Sequence, residues 1–341
     1  MEGAEPGKIT QTACECGVRH SSEAGIQGSE ASEVTLAPAC AAVTDKARAL
    51  NISDALSAVT SIGFHGVALA MVLYLVSVGL SVTMGLMGFV NLAHGVFAML
   101  GGYVVTSLMT RYSVPFSPAL LCAALVIALG SVVVERLLYR RLYGGDELDQ
   151  VLLTMGLIFM SFAAVTYVWG PSPQPMRPPR WLSGEVDLGF RSFPAFRSFL
   201  ILCGVALVTL LWLGLERTRF GARVRASVDN LRMAQSVGIN TSRLFMLTFA
   251  LGSGLAGLGG GLGADLLSIN PSYALDNLVY FLIVVAVGGL GSIRGPFVAA
   301  LLTGIADTGF KYLLPELGAF FIYALTMAIL LWRPRGLFGR A

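Results

Sequence analysis

Residues 55–110 read ALSAVTSIGFHGVALAMVLYLVSVGLSVTMGLMGFVNLAHGVFAMLGGYVVTSLMT and contain no Asp, Glu, Lys or Arg. One membrane-spanning helix needs about 20 apolar residues, so this run is nearly three times that length. The chain of 341 residues is 55% hydrophobic and only 13% charged, about half the charged fraction of an ordinary soluble domain. These features exclude a soluble globular fold and predict an integral membrane protein with several spans.

Uncharged apolar segments recur along the rest of the chain. Membrane-spanning strands alternate apolar and polar residues, whereas these segments are apolar on every face. Only α-helices satisfy the backbone of such segments inside a bilayer. The sequence therefore predicts an all-α integral membrane protein, a polytopic bundle of about eight to nine transmembrane helices with glycine-broken segments. The candidate helices lie at 63–87, 91–110, 115–138, 150–170, 198–215, 244–266, 277–293, 296–313 and 317–332.

Basic loops predict the orientation, because Lys and Arg are enriched in cytoplasmic loops. Segments 136–141 and 333–340 carry three arginines each, and segment 216–243 carries six. We predict that these three segments are cytoplasmic. Segment 171–197 also carries four arginines, but alternation of the helices makes it the main periplasmic loop. The side of the N-terminus stays open, because the first two candidate helices meet at glycines that permit a broken helix.

Residues 1–55 differ in composition from the rest of the chain. They are rich in Ser, Glu, Ala and Gly and lack the apolar core of a signal peptide. The sequence predicts a disordered N-terminal tail at 1–55 and a membrane domain at 56–341. Cys14, Cys16 and His20 lack the cysteine spacing and second ligand pair of a zinc site, so no metal site is predicted.

The segment GLMGFVNLAHG, residues 85–95, places two polar side chains inside the apolar run. Asn91 and His94 are three residues apart and would share one face of a helix. A polar pair at membrane depth is costly unless it faces a partner or a wet cavity. Two interpretations stay open: the pair lines a transport pathway, or it hydrogen-bonds a neighbouring helix and fixes packing.

A second glycine-rich segment, VVAVGGLGSIRGP at 284–296, contains Ser292. Its glycines permit a sharp turn and a close approach of helices. It does not match a nucleotide-binding loop, because no Lys-Ser or Lys-Thr pair follows the glycines. We interpret it as a turn between membrane helices, with Ser292 as a third polar residue at membrane depth.

The arginine-rich segment, residues 216–243, reads ERTRFGARVRASVDNLRMAQSVGINTSR. Gly238 is typical of a helix C-terminus, so we predict one short cytoplasmic helix over Ala222–Val237. Its arginines suit either an anionic lipid surface or a protein surface rich in carboxylates. Physical chemistry alone leaves both partners open.

These three segments together resemble the permease subunits of bacterial ABC importers for branched-chain amino acids. The matching residues are 88–95, 221–240 and 287–296, and the resemblance extends in order and spacing over about Ser57–Gly339. The chain differs from the family pattern at Arg294, where a proline is usual, and at Phe297, where a small residue is usual. Its N-terminal tail is also longer.

The resemblance implies that residues 56–341 form a permease domain and half of a pore in the bacterial inner membrane. The implied partners are two cytoplasmic ATPase subunits, a second permease, a periplasmic binding protein and membrane lipid, and no nucleic acid. ATP would bind the partner ATPases, so no cofactor or enzyme activity is expected of this chain. Within segment 216–243, the implied ATPase-coupling residues are Gly221, Arg223, Arg225, Asp229, Arg232, Gly238 and Ile239. On polarity, the candidate substrate-pathway residues are Asn91, His94 and Ser292.

Three alternatives remain at this point. Related importers for urea, short-chain amides or monosaccharides share the architecture. An ion-coupled secondary transporter would require charged groups in the membrane, and only Asp265, Asp307 and Lys311 lie near helix ends. A membrane enzyme is disfavoured, since His94 has no Ser, Cys or carboxylate at motif spacing. Whether the second permease is an identical or a related chain also stays open.

Overall fold

The computed structural model describes residues 52–341 except 89–90, 143–144, 177, 188–191, 293, 316–317, 335 and 340–341. The tail predicted at 1–55 therefore lies outside the described residues apart from 52–55, which begin the first helix. Cys14, Cys16 and His20 also lie outside them.

The described chain is almost entirely helical, as the sequence predicts. The helix Phe116–Val134 continues through a π-helical turn, Glu135–Tyr139, and a last turn, Arg140–Leu142. A small antiparallel pair of strands, β1 (Glu185–Asp187) and β2 (Ser192–Pro194), lies in the predicted periplasmic loop. The helices are α1 (Ile52–Met87), α2 (His94–Arg111), α3 (Phe116–Val134), α4 (Glu147–Trp169), α5 (Ala195–Arg217), α6 (Arg219–Asp229), α7 (Leu231–Ser236), α8 (Thr241–Leu262), α9 (Tyr273–Asp276), α10 (Leu278–Gly288), α11 (Arg294–Leu313) and α12 (Gly318–Trp332).

Each of the nine predicted spans corresponds to helix in the structure. Within the described residues, five helical stretches are long and apolar enough to cross a membrane, while shorter apolar helices run over Tyr273–Gly288 and Phe320–Trp332. An all-α polytopic membrane fold is therefore confirmed, and the count of eight to nine crossings stays a prediction. The five long stretches are Leu56–Leu86, Phe116–Tyr139, Glu147–Trp169, Ala195–Arg217 and Thr241–Asp265.

The core forms where α8 packs along α2 and α3 and beside α1. Glycines allow these helix axes to approach, since a Cβ on Gly79 of α1 would lie 2.5 Å from the carbonyl oxygen of Gly252. A Cβ on Gly101 of α2 would likewise overlap the backbone of Gly257. Small residues at helix contacts are the usual means of close packing in a bilayer, where water supplies no hydrophobic driving force between helices.

Three local predictions need correction. The helix predicted over Ala222–Val237 is two helices, α6 and α7, because Asn230 leaves the helical conformation and its side chain accepts a 3.0 Å hydrogen bond from the Met233 amide. The helix predicted at 277–293 ends at Gly288, because Gly289 has a φ of +93°. Asn91 lies before α2 instead of within it. The helix end predicted at Gly238 is confirmed by its φ of +87°.

Candidate functional site

Asn91 lies in the break between α1 and α2 and is only 2% exposed. Its side-chain oxygen accepts a 2.9 Å hydrogen bond from the hydroxyl of Tyr139, which sits in the π-helical turn after α3. Among the described residues, the Asn91 amide nitrogen has no hydrogen-bond partner. One half of the side chain therefore joins α3 to the helix break, as the packing interpretation expects.

His94 is the first residue of α2 and is 1% exposed. Neither ring nitrogen makes a hydrogen bond of full geometry in the part of the chain that the structure describes, although the ring lies beside the Val76 backbone. Its ring meets Phe97 edge-on at 5.9 Å, Phe97 meets Phe249 at 5.6 Å, and Phe249 meets Tyr139 at 5.2 Å. The two polar residues thus belong to one buried aromatic cluster: Asn91, His94, Phe97, Tyr139 and Phe249.

The hydrogen bond within this aromatic cluster gives a stability prediction. We expect Asn91→Ala and Tyr139→Phe each to lower the free energy of unfolding by about 0.5–2 kcal/mol, because each removes one partner of a buried interhelical bond. The double variant should lower the free energy of unfolding by no more than the larger of the two single changes. SDS titration of the purified protein measures these free energies. Tyr312→Phe, at an exposed tyrosine, is the matched control. Additive losses would show that the bond does not couple the two residues.

Ser292 belongs to a different group of contacts, around the turn between α10 and α11. Its hydroxyl accepts from the Gly295 amide and donates to the Gly289 carbonyl, both at 3.2 Å. Ser81 of α1 donates to the Ser292 carbonyl at 3.1 Å and accepts from the Gly291 amide at the same distance. The Ser292 hydroxyl therefore caps α11, and the structure places it in this turn and not in the aromatic cluster.

The turn is held against two other elements. A Cβ on Gly85 of α1 would overlap the Cα of Gly291, and a Cβ on Gly291 would lie 3.0 Å from the Val228 side chain of α6. Gly291 itself has a φ of +73°, a left-handed conformation that favours glycine. We call Gly85, Gly289, Gly291 and Val228 the glycine junction. It joins the first helix, the second glycine-rich segment and the arginine-rich segment, which the sequence singled out separately.

The C-terminal tail also reaches the glycine junction. The Leu337 amide donates to the Val287 carbonyl at 2.7 Å, and the Phe338 amide donates to the Gly288 carbonyl at 3.2 Å. At the start of α11, Arg294 pairs with Glu216 of α5 at 2.7 Å and lies 5.9 Å from the Trp212 ring. This exposed ion pair contributes at most about 1 kcal/mol, and it shows that the start of α11 and the end of α5 are neighbours.

The seven predicted coupling residues divide between two faces of the arginine-rich segment. Gly221 is buried, Arg225 donates to the Leu215 carbonyl at the end of α5, and Ile239 packs against the core. Those three hold the segment in place. The exposed set comprises Arg223, Asp229, Arg232 and Gly238.

Exposed apolar side chains accompany the arginines on the outer face. Met233 is 62% exposed and Val237 is 75% exposed, four residues apart around the end of α7. Thr218 and Asn230 cap α6 and α7 through bonds to the amides of Gly221 and Met233, so both short helices have defined starts. We call Arg223, Arg232, Met233 and Val237 the outer face. Its mixture of cations and apolar groups resembles a protein interface more than a purely electrostatic lipid contact.

A family model described as branched-chain amino acid transport system, permease component, matches residues 63–330. The chain belongs to this family. The permease is 28% identical over 292 residues to BraD of Pseudomonas aeruginosa, a high-affinity branched-chain amino acid transport system permease protein, covering 81% of this chain and 94% of BraD. It is 26% identical over 293 residues to LivH of Escherichia coli, which carries the same description, with the same coverage.

More distant similarity extends to another kind of importer. The permease is 23% identical over 233 residues to FrcC of Rhizobium meliloti, a fructose import permease protein, covering 65% of this chain and 63% of FrcC. No solved structure matches the chain. The resemblance inferred from the three motifs is therefore confirmed: this is a multi-pass membrane protein and a permease component of the branched-chain amino acid transport type.

Proposed function

We propose that this permease forms half of the translocation pathway of an ABC importer for branched-chain amino acids in a bacterial inner membrane. Its partners are two cytoplasmic ATPase subunits, a second permease and a periplasmic binding protein. ATP hydrolysis belongs to the ATPases, and this chain binds no cofactor of its own. The family match over residues 63–330 and the full-length similarity to BraD and LivH support the substrate class.

The observation that carries the coupling mechanism is the two-sided arginine-rich segment. Its outer face presents Arg223, Arg232 and the apolar pair Met233 and Val237 to a partner. On the inner side, the Val228 side chain lies against Gly291 within the glycine junction. A displacement of α6 is therefore transmitted through the Val228 side chain to Gly291, in the turn before α11, and from the Gly291 backbone to Gly85 of α1.

Coupling of this kind requires two global states that bind the nucleotide-loaded ATPases differently. In the state described here, Asn91 and His94 are closed off from solvent. We propose that they line the pathway in the other state, when α1 and α2 have moved. The burial of His94 supports this role, because at least one of its ring nitrogens has no hydrogen-bond partner among the described residues and a buried polar group without a partner costs about 1–3 kcal/mol. Ser292 contributes to the pathway by fixing the turn.

ATP-dependent uptake tests the proposal. The permease, its second permease and the ATPases are reconstituted in proteoliposomes with the binding protein outside and ATP inside. We expect accumulation of labelled leucine, isoleucine and valine, and none when the ATPases carry a Walker lysine substitution. Accumulation of urea, acetamide or fructose instead would assign the chain to a related importer. Uptake driven by an ion gradient without ATP would contradict the proposal.

A further inference from the structure

A cavity of about 400 Å³ lies among α1, α5, α10 and α11, at the end of the bundle opposite the arginine-rich segment. It adjoins the N-terminal end of α5, just after the β1–β2 pair, and residues that follow α8. Its volume falls within the range of about 300–1,000 Å³ that small-molecule sites occupy. The predicted orientation places this end on the periplasmic side, where a binding protein would deliver substrate.

One wall of the cavity carries a buried carboxylate. Asp307 of α11 is 2% exposed. Its two oxygens accept hydrogen bonds from the Tyr280 hydroxyl at 2.9 Å and from the Lys311 ammonium at 2.8 Å. Lys311 remains half exposed. A carboxylate has about four acceptor positions, so Asp307 can accept further donors from a ligand in the cavity.

A second wall carries a cation. Arg197 of α5 is half-buried, and its guanidinium donates to Nδ1 of His65 in α1 at 2.7 Å. That bond uses one of the five N–H donors of the guanidinium. Arg197 takes part in neither ion pair found among the described residues. A guanidinium held beside a cavity with unused donors suits a ligand carboxylate, which it can bind through two parallel bonds.

The remaining lining is largely aliphatic. Leu69 and Leu73 of α1 face the cavity together with Leu266 and Leu267, which follow α8. An aliphatic amino acid has a carboxylate, an ammonium group and an apolar side chain. The cavity offers a partner for each of them: a cation, a carboxylate and an aliphatic wall.

We infer that this cavity binds an aliphatic α-amino acid as a zwitterion. Arg197 binds its carboxylate, Asp307 binds its ammonium group, and the four leucines contact its side chain. The inference rests on the proposed function and assigns the extracytoplasmic substrate site of that pathway. The aromatic cluster around His94 is a separate group of residues. The competing interpretation is that Asp307, Tyr280 and Lys311 only lock α10 to α11.

Competition binding on the unmodified protein tests the ligand chemistry. The assembled complex in nanodiscs, without binding protein, is titrated with tritiated L-leucine. Isocaproate, which lacks the ammonium group, and isoamylamine, which lacks the carboxylate, are then added as competitors. We expect each analogue to bind at least about tenfold more weakly than leucine, because each loses one charge-assisted contact. Absence of saturable leucine binding up to millimolar concentration would overturn the inference.

Two variants test which residue binds which group. In Asp307→Asn, leucine should bind at least about tenfold more weakly while isocaproate is unchanged. In Arg197→Gln, leucine should bind more weakly, while the affinity for isoamylamine is unchanged. Asp265→Asn and Arg180→Gln, at exposed positions of the same end, are the controls and should bind leucine normally. If the two residues have a merely structural role, each variant should bind leucine and both analogues more weakly to the same extent. That result would overturn the assignment.

The outcomes separate this inference from the proposed function. Suppose that Asp307→Asn and Arg197→Gln bind leucine normally and the unmodified complex takes up leucine with ATP. The inferred site would then be wrong, while the proposed function would stand. Failure of the unmodified complex to import leucine would remove the function itself. If Asp307→Asn does not assemble, the analogue competition and Arg197→Gln decide the question.

Discussion

Reversing two charges on the outer face, Arg223→Glu with Arg232→Glu, is expected to release the ATPase subunits from the permease. Both arginines are exposed beside Met233 and Val237, while the contacts that anchor the segment lie on its other side. Opposite charges at a docked interface become like charges, which costs several kcal/mol. We therefore expect at least about a hundredfold loss of ATPase affinity, measured by copurification from detergent and by titration of purified ATPase.

Arg140→Glu with Arg141→Glu is the matched control. It reverses the same number of exposed arginines on another segment that we predict to be cytoplasmic. Retention of the second permease by both double variants would show that the membrane domain is folded. Equal ATPase binding by the outer-face variant, the control and the unmodified chain would favour a lipid contact for the arginine-rich segment.

Gly85→Ala is expected to have the second large effect, at the glycine junction. The new Cβ would overlap the Cα of Gly291, and the 3.1 Å bond between the Gly291 amide and the Ser81 carbonyl would be strained or lost. Overpacking of this size costs about 1–3 kcal/mol. We expect a lower free energy of unfolding and at least about a tenfold loss of ATP-dependent uptake, with the ATPases still bound.

Gly63→Ala supplies the control in the same helix. A Cβ on Gly63 meets no atom within 4 Å, so the change should be neutral or stabilising by up to about 1 kcal/mol, since alanine favours the helix. Unfolding is followed by SDS titration and uptake in proteoliposomes. Equal behaviour of the two variants would show that close contact at Gly85 is not needed for coupling.

Local sequence properties predicted most of the fold. Hydropathy and length identified the long membrane helices, because a bilayer demands apolar residues over a fixed distance. The left-handed turn at Gly238 followed from the conformational freedom of glycine. The break at Asn230 was missed because the prediction rested on the helix end at Gly238 and not on Asp229 and Asn230, which are weak helix formers. The signal was a side chain able to cap a new helix, which propensity alone does not distinguish from an exposed polar residue.

Contacts between distant segments could not be predicted in this way. Val228 lies against Gly291, and Gly291 packs against Gly85, but no local pattern relates the arginine-rich segment to two glycine motifs far from it in sequence. The cavity likewise brings together Arg197 and Asp307 from separate helices. In the sequence alone, Asp307 is only a charge near a helix end, because its burial and partners depend on how α10 and α11 pack.

The outer face can be tested in living cells by placing a photo-crosslinking amino acid at Met233, which is 62% exposed. Adducts formed on irradiation are identified by mass spectrometry. The reference position is Val186 of β1, at the opposite end of the bundle, which carries the same photo-crosslinking amino acid in a separate variant. We expect Met233 to capture a subunit with an ATP-binding domain and Val186 not to. Lipid adducts alone at Met233, or ATPase adducts at Val186, would contradict this expectation.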